Sequence, residues 1–139
     1  MIRSYSEMIL LPTFKDRFDY LKLGGKVGEE TFGFERYLNQ VLYRSPEWRR
    51  FRRDIIIRDE GCDLADPDYE IHGSIIIIHH INPINSRDIY LRSRAIFDPD
   101  NVITVSFNTH NAIHYGDFSL IPHLSPERSP NDTSPWRQT

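Results

Sequence analysis

The chain contains a single cysteine and no long apolar segment, and both absences limit what it can be. Cys62 has no second cysteine to pair with, so an internal disulfide cannot form. No uninterrupted apolar stretch approaches the roughly 18 residues of a membrane-spanning helix. The first residues, MIRSYSEMILLPTF, have a short apolar run with an acid before it, which is not typical of a secretory signal. We therefore expect a single-domain protein of the cytoplasm that makes no contact with a membrane.

An excess of positive charge is also missing, because the 139 residues carry a formal net charge of −3. That average conceals a segregation of charge along the chain. Residues 44–58 contain six arginines against two acids, whereas residues 59–70 contain six acids and no base. Because a local patch rather than the total charge sets the affinity for phosphate, DNA remains a possible partner.

Residues 1–58 are predicted to form a helical region. Thr13-Phe-Lys-Asp16 resembles a capping box that opens a helix over TFKDRFDYLKL, and Gly24-Gly25 is expected to end it. The following LGGKVGEETFGF lacks the GxxxxGK[ST] pattern, which gives no support to a nucleotide-binding loop. A second helix is predicted from Phe34 to Tyr43. It carries an apolar stripe at helical spacing, formed by Phe34, Tyr37, Leu38 and Val41.

The clearest helical signals follow at residue 45. Ser45 suits an N-cap, Pro46 suits the first helical position, and Gly61 is the expected stop. A helical wheel gives this helix one apolar and one basic face. The apolar face is Trp48, Phe51 and Ile55, and the basic face is Arg49, Arg50 and Arg53. A solvated surface helix would have the same pattern, but arginines without interleaved acids favour contact with DNA phosphates.

Four of the six histidines fall in one constellation. His79-His80 ends a β-branched run that is predicted to be a strand over residues 75–80. Residues 82–100 look like a loop, and 102–105 are predicted to be a second strand. Asn108 or Thr109 is expected to cap a helix that runs to Tyr115 and ends at Gly116, with His110 and His114 on one face. Since neighbouring strand residues point to opposite sides, one ring of the pair could join His110 and His114 around a metal, leaving the other for proton transfer.

These residues resemble the motif of a known nuclease family. His79-His80, Asn101 and His110 match the His-Asn-His pattern of the HNH endonucleases, and the spacing from Asn101 through His110 to His114 is similar to that of the colicin-type nucleases. The flanking IHHINPI and DPDNVITVSFNTHNAIHYGD also agree. The resemblance covers roughly residues 59–117. The whole chain is similar to the small HNH proteins that tailed bacteriophages encode.

The resemblance implies a role for each motif residue. His79, His110 and His114 would hold one divalent metal ion, His80 would be the general base, and Asn101 would brace the loop or the base through hydrogen bonds. Three neutral nitrogens suit zinc, nickel or cobalt, whereas related enzymes also work with magnesium or manganese. No small-molecule cofactor is expected. The reaction would be hydrolysis of a DNA phosphodiester to a 5′-phosphate and a 3′-hydroxyl.

The fold that the resemblance implies is α+β, with a ββα-metal catalytic unit over residues 59–120. The helical region 1–58 would precede it, and a proline-rich extended tail over residues 121–139, anchored through Trp136, would follow. Many HNH proteins brace this unit with zinc bound by two CxxC pairs, which here align with Cys62 and Ala65 and with Ser106 and Thr109. Such a site cannot form. We expect the apolar helix face to hold the unit instead, by packing against Phe107 and Ile113, so that chelators abolish activity without unfolding the chain.

Three functions remain open at this point. The first is a DNA endonuclease or nickase with no or weak sequence specificity, which the additional His80 favours. The second is a DNA-binding module whose metal is structural, and the third is a packaging accessory that acts only with a phage terminase large subunit. In the second and third cases the purified protein would bind plasmid DNA but cut it little or not at all. A phage-encoded protein would act in the cytoplasm of its host.

Overall fold

The computed structural model describes residues 2–23 and 34–121, with side chains described from residue 37 in the second range. The predictions for Gly24-Gly25, for the remainder of the glycine-containing loop and for the tail with Trp136 lie outside these residues. Within them, no helix is both long and apolar enough to cross a membrane. The helices and strands are α1 (Tyr5–Met8), α2 (Phe14–Leu21), α3 (Phe34–Arg44), α4 (Pro46–Arg58), β1 (Ile76–His80), α5 (Ser86–Tyr90), β2 (Val102–Ser106) and α6 (Phe107–Tyr115).

The two strands form an antiparallel sheet, which confirms a mixed α+β architecture. His79 pairs with Ile103 and His80 pairs with Val102. Because side chains alternate along a strand, His79 and Ile103 share one face of the sheet while His80 and Val102 share the other. The sheet therefore separates the two adjacent histidines, and the elements packed on each face decide what each ring meets.

Local signals set most helix starts. The side chains of Thr13 and Ser45 cap α2 and α4 as predicted, by accepting bonds from Asp16 N and Trp48 N. Two boundaries were wrong. α4 ends at Arg58 rather than at Gly61, and α6 begins at Phe107 because Ser106 Oγ, not Asn108 or Thr109, accepts the bond from Thr109 N. The predicted loop over residues 82–100 also contains α5 and two 3₁₀ turns, Arg94–Phe97 and Pro99–Asn101.

A separate apolar cluster covers each face of the sheet. On the His79 face, α1, α2 and α6 pack together through residues such as Phe18, Leu21 and Ile113. On the His80 face, α3, α4 and α5 pack through Leu42, Trp48, Ile55, Ile78, Ile89, Ile96 and Val102. The helix α4 thus supports the strands as expected, but through Ile78 and Val102. The predicted partners were wrong, since Phe107 is 46% exposed and Ile113 belongs to the opposite cluster.

The predicted apolar stripe of α3 is only partly buried. Leu38 packs against the cluster on the His80 face, whereas Tyr37 and Val41 are exposed. The stripe spans more of the helix surface than the small sheet and α5 can cover, so one side of it faces solvent.

Two buried aspartates bind the outer edge of β2. Asp59 Oδ2 accepts a bond of 2.9 Å from Thr104 N, and Asp63 Oδ1 accepts one of 3.0 Å from Ser106 N. Asp63 Oδ2 also accepts bonds from Ser106 Oγ at 3.0 Å and from Thr109 Oγ1 at 2.6 Å. These amides would otherwise be unpaired, because β1 occupies only the inner edge of β2. The carboxylates therefore replace a third strand.

Thr104 offers a test of packing on the His80 face. Its Oγ1 is buried and has no hydrogen-bond partner among the described residues. Burial of a hydroxyl without a partner costs about 1–3 kcal/mol. Thr104→Val keeps the shape and removes that hydroxyl, so we expect the free energy of unfolding to rise by about 1 kcal/mol in urea denaturation. A lower value would mean that the hydroxyl is hydrogen-bonded in solution.

Candidate metal centre and neighbouring histidine

His79 occupies a buried position in the sheet near the end of β1. Its side chain is 3% exposed and lies on the face that α6 covers. The Nε2 atom is buried and has no hydrogen-bond partner among the residues described. A buried polar atom without a partner is uncommon in folded proteins, and it costs about 1–3 kcal/mol. The site therefore presents a nitrogen that favours an additional ligand.

His110 and His114 lie opposite His79, one turn apart on α6. Their Nε2 atoms are 3.0 Å apart, and their ring centroids lie 5.5 and 5.2 Å from that of His79. One ligand atom from each of the three rings lies within 4.8 Å of the others. The structure thus brings together all three residues that the sequence nominated as metal ligands.

The environment of the three rings favours their neutral form. Burial lowers the pKa of His79 well below its ordinary value, and proximity to His110 and His114 lowers it further. Burial, followed by the charge of His114, lowers the pKa of His110 to about 4. Burial also lowers the pKa of His114. Neutral imidazoles are the form that binds a metal, so the set is deprotonated at physiological pH.

The donor set fits a divalent transition metal. Tetrahedral coordination at the usual zinc–nitrogen distance of about 2.0 Å places ligand atoms roughly 3.3 Å apart. The 3.0 Å between the two α6 nitrogens is close to that separation, and the ligand atom of His79 lies within 4.8 Å of the other two. Three nitrogens without a carboxylate match zinc, nickel or cobalt better than magnesium, which prefers oxygen. Three protein ligands also leave a fourth position for substrate or water.

His80 lies on the opposite face of the sheet from the three rings. It is 8% exposed, stacks on Trp48 with centroids 5.5 Å apart, and has its Nε2 atom 3.1 Å from Ile96 O. A carbonyl oxygen only accepts, so Nε2 carries the proton in this contact and Nδ1 carries the lone pair. Burial lowers the pKa of His80, while the bond to Ile96 and the charge of Asp88 act in the opposite direction. The ring is therefore neutral and fixed in one tautomer.

Asn101 ties together both ends of the segment between the strands. Its Oδ1 accepts bonds from Asn82 N at 2.9 Å and Asn82 Nδ2 at 2.8 Å, and its Nδ2 donates to Ala95 O at 3.0 Å. Ala95 precedes Ile96, whose carbonyl holds His80. Asn101 therefore braces the loop, and its link to His80 runs through the backbone from Ala95 to Ile96.

Two residues of this network had no signal in the sequence. Asn82 Nδ2 donates to Arg3 O at 2.6 Å while Arg3 N donates to Asn82 Oδ1 at 3.1 Å, which joins the N-terminal segment to the histidine strand. The Arg3 guanidinium then donates through Nη1 to Leu21 O at 3.1 Å, at the end of α2. An asparagine after an Ile-His-His-Ile run reads locally as a turn residue, so only the fold reveals its partners.

The basic surface of α4 is smaller than the sequence implies. Arg49, Arg50 and Arg53 are exposed, and no described residue forms an ion pair with them. Arg52 instead donates to Ile76 O at 2.8 Å, and Arg58 donates to Asp59 and to Val102 O. The net charge of residues 44–58 therefore overstates the number of arginines that can contact a partner. Arg49, Arg50 and Arg53 remain exposed for such contacts.

The lowered histidine pKa values predict loss of stability in acid when no metal is present. A group with a folded pKa below its unfolded value of about 6.5 stabilises the fold above that pH and ceases to do so as pH falls toward the folded pKa. We expect the free energy of unfolding, measured with chelator, to fall by up to about 1.4 kcal/mol per pH unit for each such histidine below pH 6.5. His110→Asn should reduce that slope, because it removes one of the buried rings. Equal stability at pH 7 and pH 5 would contradict the burial of these rings.

No family model, curated protein or solved structure matches the chain. What the site can do therefore follows from its own side chains and their arrangement.

Proposed function

We propose that the chain is a metal-dependent phosphodiesterase of the HNH type, which hydrolyses DNA as an endonuclease or nickase. The order of β1, β2 and α6 is similar to the ββα-metal unit. Here β1 carries His79, Asn101 lies in the turn directly before β2, and α6 carries His110 and His114. The observation that carries the proposal is the buried, unpartnered Nε2 of His79 beside two further imidazoles. Such a set has no evident use in packing and fits a cation.

His79, His110 and His114 would hold one divalent ion. When bound, the ion would supply Lewis-acid stabilisation of the negative charge that develops on the phosphate. The three side chains contribute by being neutral at physiological pH and by being fixed on a strand and a helix. This rigidity keeps the donors in place without reorganisation when substrate arrives.

His80 would act as the general base. Because the Nε2–H of His80 donates to Ile96 O, Nδ1 is the ring atom that carries a lone pair and would accept a proton from the attacking water. The lowered pKa keeps the ring unprotonated, and thus competent as a base, through neutral pH. Asn101 would serve the reaction indirectly, because its bonds to Asn82 and Ala95 fix the segment that carries the Ile96 carbonyl.

Arg49, Arg50 and Arg53 would contact the phosphate backbone of the DNA. All three are exposed on α4, while Trp48 on the buried side of the same helix stacks on His80. A helix that is anchored beside the base and presents cations outward would orient the phosphate backbone without reading the base sequence.

The burial of His80 favours a second candidate, a DNA-binding module in which the metal is structural. A ring that is 8% exposed, stacked on Trp48 and bonded to a carbonyl also has the features of a satisfied core histidine. In that case the metal would join β1 to α6, and removal of the metal would unfold the chain rather than only stop a reaction.

One set of measurements separates the two candidates. Elemental analysis of the purified chain should give one zinc, nickel or cobalt per molecule, and His110→Ala should reduce that ratio sharply. The metal-loaded wild type should convert supercoiled plasmid to nicked or linear DNA, and chelation should stop cutting without loss of the helical circular-dichroism signal. Plasmid that is bound but never cut, with unfolding on chelation, would establish the structural role. Absence of any bound metal would refute both.

A further inference from the structure

A small cavity lies on the same face of the sheet as His80, between α3, α5 and the turn Arg94–Phe97. Its volume is about 170 Å³. The walls include Leu42, Ile89 and Ile96, and the mouth is formed by Val41, Tyr90 and Arg92. Ile96 is also the residue whose carbonyl holds His80, so the cavity adjoins the proposed base through one shared backbone position.

Aromatic and cationic side chains are exposed on the segments that form the cavity. Tyr90 is 67% exposed, and Tyr37, at 61%, precedes Val41 by one turn of α3. Arginines that are exposed in the same elements are Arg44, Arg87, Arg92 and Arg94. No described acidic side chain lines the cavity. The two acids nearest in sequence, Asp88 and Asp98, accept backbone bonds from Asn85 N and Asp100 N. The surface is therefore apolar, aromatic and positively charged.

Arg92 is held in a backbone conformation that usually requires glycine. It follows α5 with φ 53°, and the bonds from Arg92 N to Ile89 O and from Ser93 N to Asp88 O form a Schellman motif. Glycine is favoured at this position because other residues are strained there. Arginine at this position is therefore less stable in its backbone conformation than glycine would be, and its side chain lines the cavity.

We propose that this surface binds single-stranded polynucleotide and that the cavity accepts one unpaired pyrimidine base. The proposal rests on the proposed function, since it names the form of nucleic acid that the site prefers. Exposed aromatic rings stack on bases of any sequence, and arginines hold the intervening phosphates. A cavity of about 150 Å³ accommodates benzene, so a cavity of about 170 Å³ suits a single six-membered ring better than a purine. Aromatic residues and arginine are also frequent at protein interfaces, but four exposed arginines against the two neighbouring acids, with none of the described acids in the cavity lining, favour a polyanion.

Binding without metal tests this surface separately from catalysis. Fluorescence anisotropy of the full chain in chelator would compare labelled oligothymidylate, oligouridylate, oligoadenylate and a duplex of equal length. We expect both pyrimidine strands to bind more tightly than the adenylate and the duplex, and the comparison between thymidylate and uridylate identifies DNA or RNA as the natural source. Tyr90→Ala should weaken binding about tenfold. Val41→Trp, which adds a ring at the mouth, should remove the preference for pyrimidines.

Arg92→Gly gives the sharpest variant, because a structural role and a binding role predict different results. Its melting temperature should stay equal or rise as backbone strain is relieved, while affinity for the pyrimidine strands should fall. Glu60→Gly is the matched control, since Glu60 has φ 56° and is not part of the cavity, and it should not weaken binding. Equal binding of all strands, or unchanged affinity in Tyr90→Ala and Arg92→Gly, would overturn the proposal and leave this surface to a protein partner. Retained pyrimidine binding without plasmid cleavage would refute only the nuclease.

Discussion

Replacement of His80 by alanine is expected to lower the rate of plasmid nicking by about 10²–10⁴-fold, the usual contribution of a general base. The same variant should keep one metal per chain, because His80 lies on the face of the sheet opposite His79 and is not among the three clustered rings. His79→Ala should instead lose both metal and activity. The contrast between the two neighbours follows directly from the alternation of side chains along β1.

Stability of the variant must be controlled, because His80 also packs on Trp48. His80→Asn retains a side-chain N–H that can donate toward Ile96 O, but it has no group of suitable pKa to accept a proton from water. It should therefore remain folded and inactive, whereas His72→Ala, at an exposed histidine, should stay fully active. Nicking by His80→Asn at the wild-type rate, with metal bound, would remove His80 from the reaction. The proton acceptor would then have to be another residue or a solvent molecule.

Asp63→Ala is expected to reduce the free energy of unfolding by about 3–5 kcal/mol. The substitution would leave Ser106 N, Ser106 Oγ and Thr109 Oγ1 without the acceptor that they share, and Asp63 is almost completely buried. Each buried donor that loses its partner costs about 1–3 kcal/mol, and part of that cost is recovered by relaxation. Typical domains are stable by only about 5–15 kcal/mol, so the variant should unfold at a much lower urea concentration.

Two further variants make the Asp63 result specific. Asp63→Asn keeps the shape but turns one acceptor into a donor that faces other donors, so it should destabilise by an intermediate amount. Asp68→Ala, at an exposed acid of the same segment, should change stability by less than about 0.5 kcal/mol. If Asp63→Ala melts like the wild type, the carboxylate of Asp63 does not brace β2, and the support of this edge must come from Asp59 and from apolar packing.

Asp63 joins β2 to the start of α6, at the place where the HNH resemblance led us to look for a substitute for a zinc site. In the alignment that the HNH resemblance implies, Ser106 and Thr109 would take the places of the second cysteine pair, and Asp63 lies next to Cys62 of the first. A carboxylate that accepts three hydrogen bonds joins the segments there. We expected apolar packing by α4 to hold the unit instead of zinc. The structure confirms that Trp48 and Ile55 pack on the sheet, but they do so on the His80 face, opposite to the face that α6 covers. The unit is thus held from both sides, by hydrogen bonds at its edge and by apolar contacts beneath His80.

The sequence alone determined the features that depend on short-range geometry. A β-branched run that ends in two histidines forms β1 and sends the two rings to opposite faces, and histidines four residues apart share one face of α6. Ser45 and Pro46 fixed the start of α4 for the same reason, because a cap needs only its own helix. These local rules were sufficient to group His110 and His114 with one ring of the 79–80 pair, and the resemblance to the HNH family nominated His79 as that ring.

Tertiary structure decided everything that depends on residues distant in the chain. Asp59 and Asp63 bond to β2 across more than 40 positions, and Arg58 is bound to Asp59 and Val102 O rather than displayed to a partner. Hydrogen bonds of this kind require a specific approach of two segments, and composition and periodicity carry no record of that approach. The pairing of His80 with the carbonyl of Ile96 is of the same kind, since a backbone carbonyl has no signature in the sequence.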